Sequence, residues 1–210
     1  MSESRHKGLR SAAHTQPELH DSILQSAEKL FRTLGYLKVT VGDIAKDLGM
    51  SPANIYRFFA SKVQLREALA ERFTHQVEEA CRRVAESDGR RTPTERLMEM
   101  IVEYHRMTLD RYITSANVHE MLNVALRENW NVVLVHKAHI LKIFEQLIAE
   151  GVQEGEFVVN DISRASLLVF HSIAVFTDPS KVALLFVEDN CCEVKDMSRF
   201  VVGALKAGVV

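Results

Sequence analysis

Two helix starts set close together constrain this chain more than any other feature. Thr40 is a good N-cap, Asp43 supplies the reciprocal bond of a short capping box, and Ile44, Ala45 and Leu48 follow before Gly49 ends the segment. Ser51 is a second cap. Pro52 sits in the first turn, where its missing N–H costs nothing, and Ile55, Tyr56, Phe58 and Phe59 follow before Ser61 opens the next helix. Two short helices of roughly seven to nine residues across a tight Gly-Met turn are the elements of a helix-turn-helix, in which one helix braces against a duplex backbone and the second lies in the major groove.

The same punctuation organises the rest. Residues 1–16 are polar and basic without periodicity and precede Pro17, which predicts a flexible basic arm. Ile23, Ala27, Leu30, Phe31 and Leu34 then recur at helical spacing up to Gly35. Residues 17–64 therefore read as a three-helix N-terminal domain, and residues 65–210 as a second helical domain entered through a connecting helix over 65–86, where Leu65, Leu69, Phe73 and Val77 repeat. After a break at Ser87–Pro93, helices are predicted at about Thr94–Asp110, Ser115–Glu128, Trp130–Gly151, Ser163–Thr177 and Cys192–Lys206, with a short one within Pro179–Asp189. Sustained strand alternation is absent, so the expected fold class is all-α.

Charge separates along the chain. Residues 1–62 hold nine Lys/Arg against six Asp/Glu, leaving seventeen against twenty-two for the remainder, so the N-terminal third is the end that attracts phosphate. The segment from Thr40 to Lys62 closely resembles the DNA-binding signature of the TetR/AcrR repressor family, and the likeness extends back through Ile23-Leu24, Leu30-Phe31 and Gly35-Tyr36 and forward to Leu65. The resemblance implies roles by position. Thr40, Tyr56 and Lys62 look like the family's phosphate contacts, which position the protein without reading sequence. Base readout then falls to Pro52, Ala53, Asn54 and Arg57. Asn pairs with adenine, Arg with guanine, and the two apolar residues touch thymine methyls. Ala53 replaces the family's frequent glycine.

The resemblance further implies a homodimer on a palindromic double-stranded operator, with residues 65–210 as the effector-binding and dimerisation domain. For the interface the last two long helices offer apolar stripes: Leu168, Val169, Ile173 and Phe176 on one, and Met197, Phe200, Val201 and Ala204 on the other. For the pocket of a small-molecule effector the middle helices supply Met100, Ile101, Tyr104 and His105, then Met121, Leu122 and Trp130, then His136, His139 and Ile140, and finally Phe170 and His171. The expectation is a repressor released from its operator by ligand.

Other chemistries fare worse. His119-Glu120-Met121-Leu122-Asn123 begins like a zincin motif but has Asn where the second histidine belongs. His136 and His139 share a helix face without Cys or carboxylate neighbours in sequence, so neither a metal nor another cofactor is expected. Cys81, Cys191 and Cys192 form no Cys-x-x-Cys pair and read as reduced thiols. No phosphate-cradling glycine loop or nucleophile elbow occurs, which argues against an enzyme. No stretch approaches the roughly 18 apolar residues of a membrane span and the start lacks a secretory h-region, so no membrane contact and a cytoplasmic location are expected. A metal- or redox-sensing regulator of the same fold, or an all-helical adaptor that does not bind DNA, stands as the alternative.

Overall fold

A computed structural model describes residues 15–86, 90–114, 124, 131–178, 181–182 and 192–209. The arm up to residue 14, Met121, Leu122, Trp130, Cys191, nearly all of the expected Ser115–Glu128 helix and most of Pro179–Asp189 lie outside the described residues.

The described residues form helices and no strands. Helix α1 runs Gln16–Leu34, α2 Val41–Asp47, α3 Pro52–Tyr56, α4 Lys62–Ala85, α5 Pro93–Thr114, α6 Asn131–Gln153, α7 Ile162–Ser172, α8 Ala174–Thr177 and α9 Val194–Ala207. Local signals explain the first boundaries. The Thr15 amide donates to the Glu18 carboxylate at 2.8 Å, closing the start of α1, and Gly35 ends it with φ +91°, a backbone that side chains disfavour. At α3 the expectation needs shortening to five residues, because the amides of both Phe58 and Phe59 turn back to the Ile55 carbonyl at 3.0 Å.

Two hydrophobic cores follow. One gathers Ile23, Ala27 and Phe31 of α1, Ile44 and Ala45 of α2, and Ile55 of α3 around Leu65, Leu69 and Phe73 of α4. The other packs Val77, Cys81 and Ala85 of the same α4 against α5, α6, α7 and α9 through Leu97, Phe144, Leu147, Ala165 and Leu205. Helix α4 is thus uninterrupted between them. Where it ends, buried Arg96 of α5 donates from Nη1 to the Ala85 carbonyl at 2.7 Å and from Nη2 to Glu150 of α6 at 2.6 Å, so one guanidinium caps α4 and fixes two neighbours.

The helix expected over Ser163–Thr177 breaks at Ile173. Ser172 Oγ bonds back to the Leu168 carbonyl at 2.8 Å, a contact that bends helices. Beyond the break, His105 Nδ1 and Thr108 Oγ1 of α5 donate to the carbonyls of Phe176 and Thr177.

Helix α6 turns into the following loop at Gly151, whose carbonyl accepts the amides of Glu156 and Phe157. A Cβ on Gly151 would collide with the buried Phe157 ring. Gly151→Ala is therefore expected to lower stability by about 1–3 kcal/mol despite alanine's better helix propensity, read as a lower urea midpoint with an unchanged slope.

Candidate nucleic-acid interface and interior site

The first candidate surface is the outer side of the two short helices. Ile55 is fully buried and pins α3 to the core, whereas Pro52, Ala53, Asn54, Tyr56 and Arg57 are exposed, with half of the Tyr56 surface free. The four residues expected to read bases and the tyrosine expected to meet a phosphate therefore share one short accessible segment. Arg57 lies just past the last turn, at the C-cap.

Thr40 caps α2 as the sequence predicts. The Asp43 amide donates to Thr40 Oγ1, while the Thr40 amide and hydroxyl both donate to the Asp43 carboxylate, at 2.8 and 2.7 Å. Those bonds hold the Asp43 carboxyl below its ordinary range. Lys62, the first residue of α4, reaches back to this corner. Its ammonium lies 3.4 Å from the Leu37 carbonyl and 4.4 Å above the Tyr36 ring. Burial and the neighbouring Arg66 guanidinium lower its proton affinity, against the pull of Asp43. The α1–α2 loop thus holds Lys62 beside the start of α2. Sequence reasoning passed over Lys38, exposed in the same loop two residues before the cap. The available signal was a lysine next to an anion-attracting helix start.

The second candidate site lies where α4, α5 and α6 meet. Glu78 of α4 is buried, and its two carboxylate oxygens take Nδ1 of His136 at 2.7 Å and Nδ1 of His139 at 2.8 Å. Because the carboxylate only accepts, both imidazoles carry a proton on Nδ1. The buried Tyr104 hydroxyl lies within hydrogen-bond distance of His136 Nε2, at 3.2 Å. Burial alone would raise the Glu78 carboxyl, but the two imidazole bonds outweigh it and hold it below its ordinary value. Burial, with negative neighbours, drives the Tyr104 phenol upward.

Outside this network the residues expected to line a pocket lie in several different surroundings. Met100, Ile101 and Ile140 have no accessible area and are close-packed core, with no space beside them for a water-sized molecule. His105 is committed to the Phe176 carbonyl at 2.8 Å. Phe170 is half-buried with the Lys137 ammonium 5.3 Å from its ring, and His171 is exposed on α7. A cavity of about 330 Å³ does open between α4 and α6, lined by Glu67, Glu71, Thr74, His75, Glu78, Asn131, Val132, Val135 and His139. Of these only His139 was anticipated. The acidic stripe Glu67, Glu71 and Glu78 along one face of α4 was the readable signal.

The expected dimer stripes divide similarly. Val169, Ile173, Phe176 and Val201 are buried in the chain's own core, while Met197 and Ala204 are partly covered. Leu168 and Phe200 are exposed, Phe200 by 72%.

Among the described residues no group of three or more His, Cys, Asp or Glu side chains is arranged to hold a metal ion. Cys81 is fully buried and its thiol is pushed up to about 12 by burial and by Glu103 and Glu78, which suppresses the reactive thiolate at neutral pH. No helix among the described residues is long and apolar enough to cross a membrane.

Comparison with known proteins gives these surfaces a context. Residues 23–69 match the sequence profile of the bacterial regulatory proteins of the tetR family, and residues 93–189 that of the tetracyclin repressor-like C-terminal domain. No curated protein matches the chain. Among solved structures, a transcriptional regulator of the TetR/AcrR family from Thermobifida fusca is 22% identical with a TM-score of 0.63, covering 90% of this chain and 97% of its own. A bacterial regulatory protein in the tetR family from Rhodococcus RHA1 is 22% identical with a TM-score of 0.60, over 93% and 98%. The transcriptional regulator FadR from Bacillus subtilis, in complex with stearoyl-CoA, is 21% identical with a TM-score of 0.63, over 90% and 98%.

The Glu78 bonds carry a pH signature. A carboxyl held below its unfolded value adds stability that is complete above about pH 4.5 and is lost as pH falls through the folded value. Glu78→Gln is expected to lower the urea midpoint at pH 7 and to flatten its decline between about pH 5 and 3.

Proposed function

The chain belongs to the TetR family of DNA-binding transcriptional regulators, a family of regulators and not of enzymes, and on that premise we propose that it is a dimeric, ligand-responsive repressor of a palindromic operator. The observation that carries this reading is the exposed side of α3: Ile55 alone points into the core, leaving Pro52, Ala53, Asn54 and Arg57 free for base edges. Thr40, Tyr56 and Lys62 hold the flanking phosphates. Lys62 exchanges a carbonyl and a ring for a phosphate, which favours binding because the site already gathers the ammonium and the α2 start.

One short reading helix buries too little DNA for tight specific binding, so a second protomer supplies another about one helical turn, roughly 34 Å, away. The outward residues of α7 and α9, Leu168 and Phe200 with Ala204, are the surface we assign to that pairing, and the openness around Gly203 lets a second backbone come close. Obligate interfaces are apolar, and a phenylalanine left largely in water is a natural anchor.

Ligand response rests on the junction of α4 with α5 and α6. Helix α4 begins at the phosphate-holding Lys62 and ends in the second core, so a molecule that favours one packing of α6 against α4 shifts the reading helices through it. The Bacillus subtilis neighbour of the same fold holds stearoyl-CoA, which supports a small-molecule role for this domain.

Selection of bound duplexes from random DNA, followed by a screen for ligands that release them, tests the whole reading. Within it, Lys62→Ala and Tyr56→Phe are expected to weaken operator binding with dimerisation unchanged, and Lys62→Ala to make the slope of log affinity against log salt shallower by about one. Unaltered affinity in Lys62→Ala at moderate salt removes the phosphate assignment. Arg57→Ala is expected to relax sequence preference as well as affinity, read in the same selection. Phe200→Glu is expected to yield monomers in sedimentation, and persistence of the dimer removes α9 from the interface.

A further inference from the structure

Thr40 and Lys62, two of the side chains that we place on flanking phosphates, already share an anion of the chain's own. The Asp43 carboxylate takes the Thr40 hydroxyl proton through Oδ2 at 2.7 Å, and the same oxygen takes the Thr40 amide at 2.8 Å. A hydroxyl has one proton to give, so in the unbound chain the Thr40 proton is committed to Asp43 and must leave it to reach a phosphate. An O–H bond to a carboxylate is about twice as strong as one to a neutral acceptor, which sets a cost on that exchange.

Lys62 feels the same carboxylate. Asp43 supports its positive charge against burial and the Arg66 guanidinium. In return Lys46 and Lys62 add to the Thr40 bonds that keep the Asp43 carboxyl ionised. Thr40, Asp43 and Lys46 are exposed, and Lys62 is half-buried with its ammonium 3.4 Å from the Leu37 carbonyl. The corner is therefore open to a duplex, and a phosphate arriving there meets a fixed negative charge on the donors that are to receive it. Capping of α2 does not require that charge. A reciprocal box closes with a neutral Gln as well as with an acid, and Thr40 Oγ1 accepts the Asp43 amide at 3.2 Å whatever side chain follows.

We propose that Asp43 is a built-in competitor of the DNA backbone, an affinity-limiting residue whose carboxylate holds the Thr40 hydroxyl beside Lys62 until a phosphate displaces it. The inference rests on the phosphate roles assigned above to Thr40 and Lys62. Its consequence is a weaker sequence-independent grip, because phosphate contacts carry no base information, and a larger share of binding left to the exposed residues of α3. The sign separates a competitor from a mere cap: loss of a cap loosens α2 and weakens the contacts made from it, whereas loss of a competitor tightens binding.

Binding of the full chain to a mixed-sequence duplex of about 30 base pairs, long enough for two half-sites a helical turn apart, tests it. Asp43→Asn keeps an acceptor for the Thr40 amide and removes the charge. It is expected to bind the duplex about fivefold or more tightly than the parent at roughly 50 mM salt, with the gain shrinking as salt rises to about 200 mM. Asp43→Glu, which keeps the charge in a side chain suited to the same box, is expected to bind like the parent. Unchanged or weaker binding by Asp43→Asn overturns the proposal, and so does an Asp43→Glu variant that tightens as much. Should Asp43→Asn fail to fold, Asp43→Gln closes the box without charge and carries the same expectation. Lys62→Ala on the same duplex separates the two claims. Binding as tight as the parent's removes the phosphate reading and this inference with it, while weakened binding beside an unresponsive Asp43→Asn removes the inference alone.

Discussion

A single unbroken helix serves two hydrophobic cores. Leu65, Leu69 and Phe73 of α4 complete the N-terminal cluster, and Val77, Cys81 and Ala85, farther along the same helix, enter the C-terminal one. A helix has little freedom to bend without proline, a bulge or an inserted group, so the two clusters are joined by a rod. Every rearrangement on one side must be expressed on the other as a tilt or shift of that rod. Its ends are fixed by polar bonds: Ser61 caps the start by accepting the Gln64 amide, and Arg96 caps the finish through the Ala85 carbonyl.

Buried polarity concentrates where helices meet this rod. Arg96 ties its end to Glu150 of α6, and Glu78 ties its middle to His136 and His139. Such pairs add little net stability, because desolvation offsets much of the attraction, yet a mispaired arrangement strands a charge in a low-dielectric interior. They therefore select one register of α4 against α5 and α6 from among several that apolar side chains alone would tolerate.

The N-terminal half was legible because its signals are local. Thr40 with Asp43, Gly35 and the Ser51-Pro52 pair lie within a turn of the boundary each one sets, and the exposed residues around Ile55 follow from helical spacing. Among the described residues the C-terminal half yielded most of its helices but not their partners. An apolar stripe has the same period whether it faces its own chain or another, so Val169, Ile173, Phe176 and Val201 could not be told from Leu168 and Phe200 until the packing was seen. Met100, Ile101 and Ile140 carry the same ambiguity between core and pocket wall. Glu78 meets His136 across 58 residues of sequence, a pairing that leaves no local trace.

The brevity of α3 has a consequence for how such a chain changes over generations. With one inward side chain in five residues, its outward positions contribute almost nothing to the core and can be exchanged at little cost in folding. Surface chemistry and thermodynamic viability are thereby uncoupled: a lineage can exchange Ala53, Asn54 and Arg57 while the scaffold that presents them stays under separate selection.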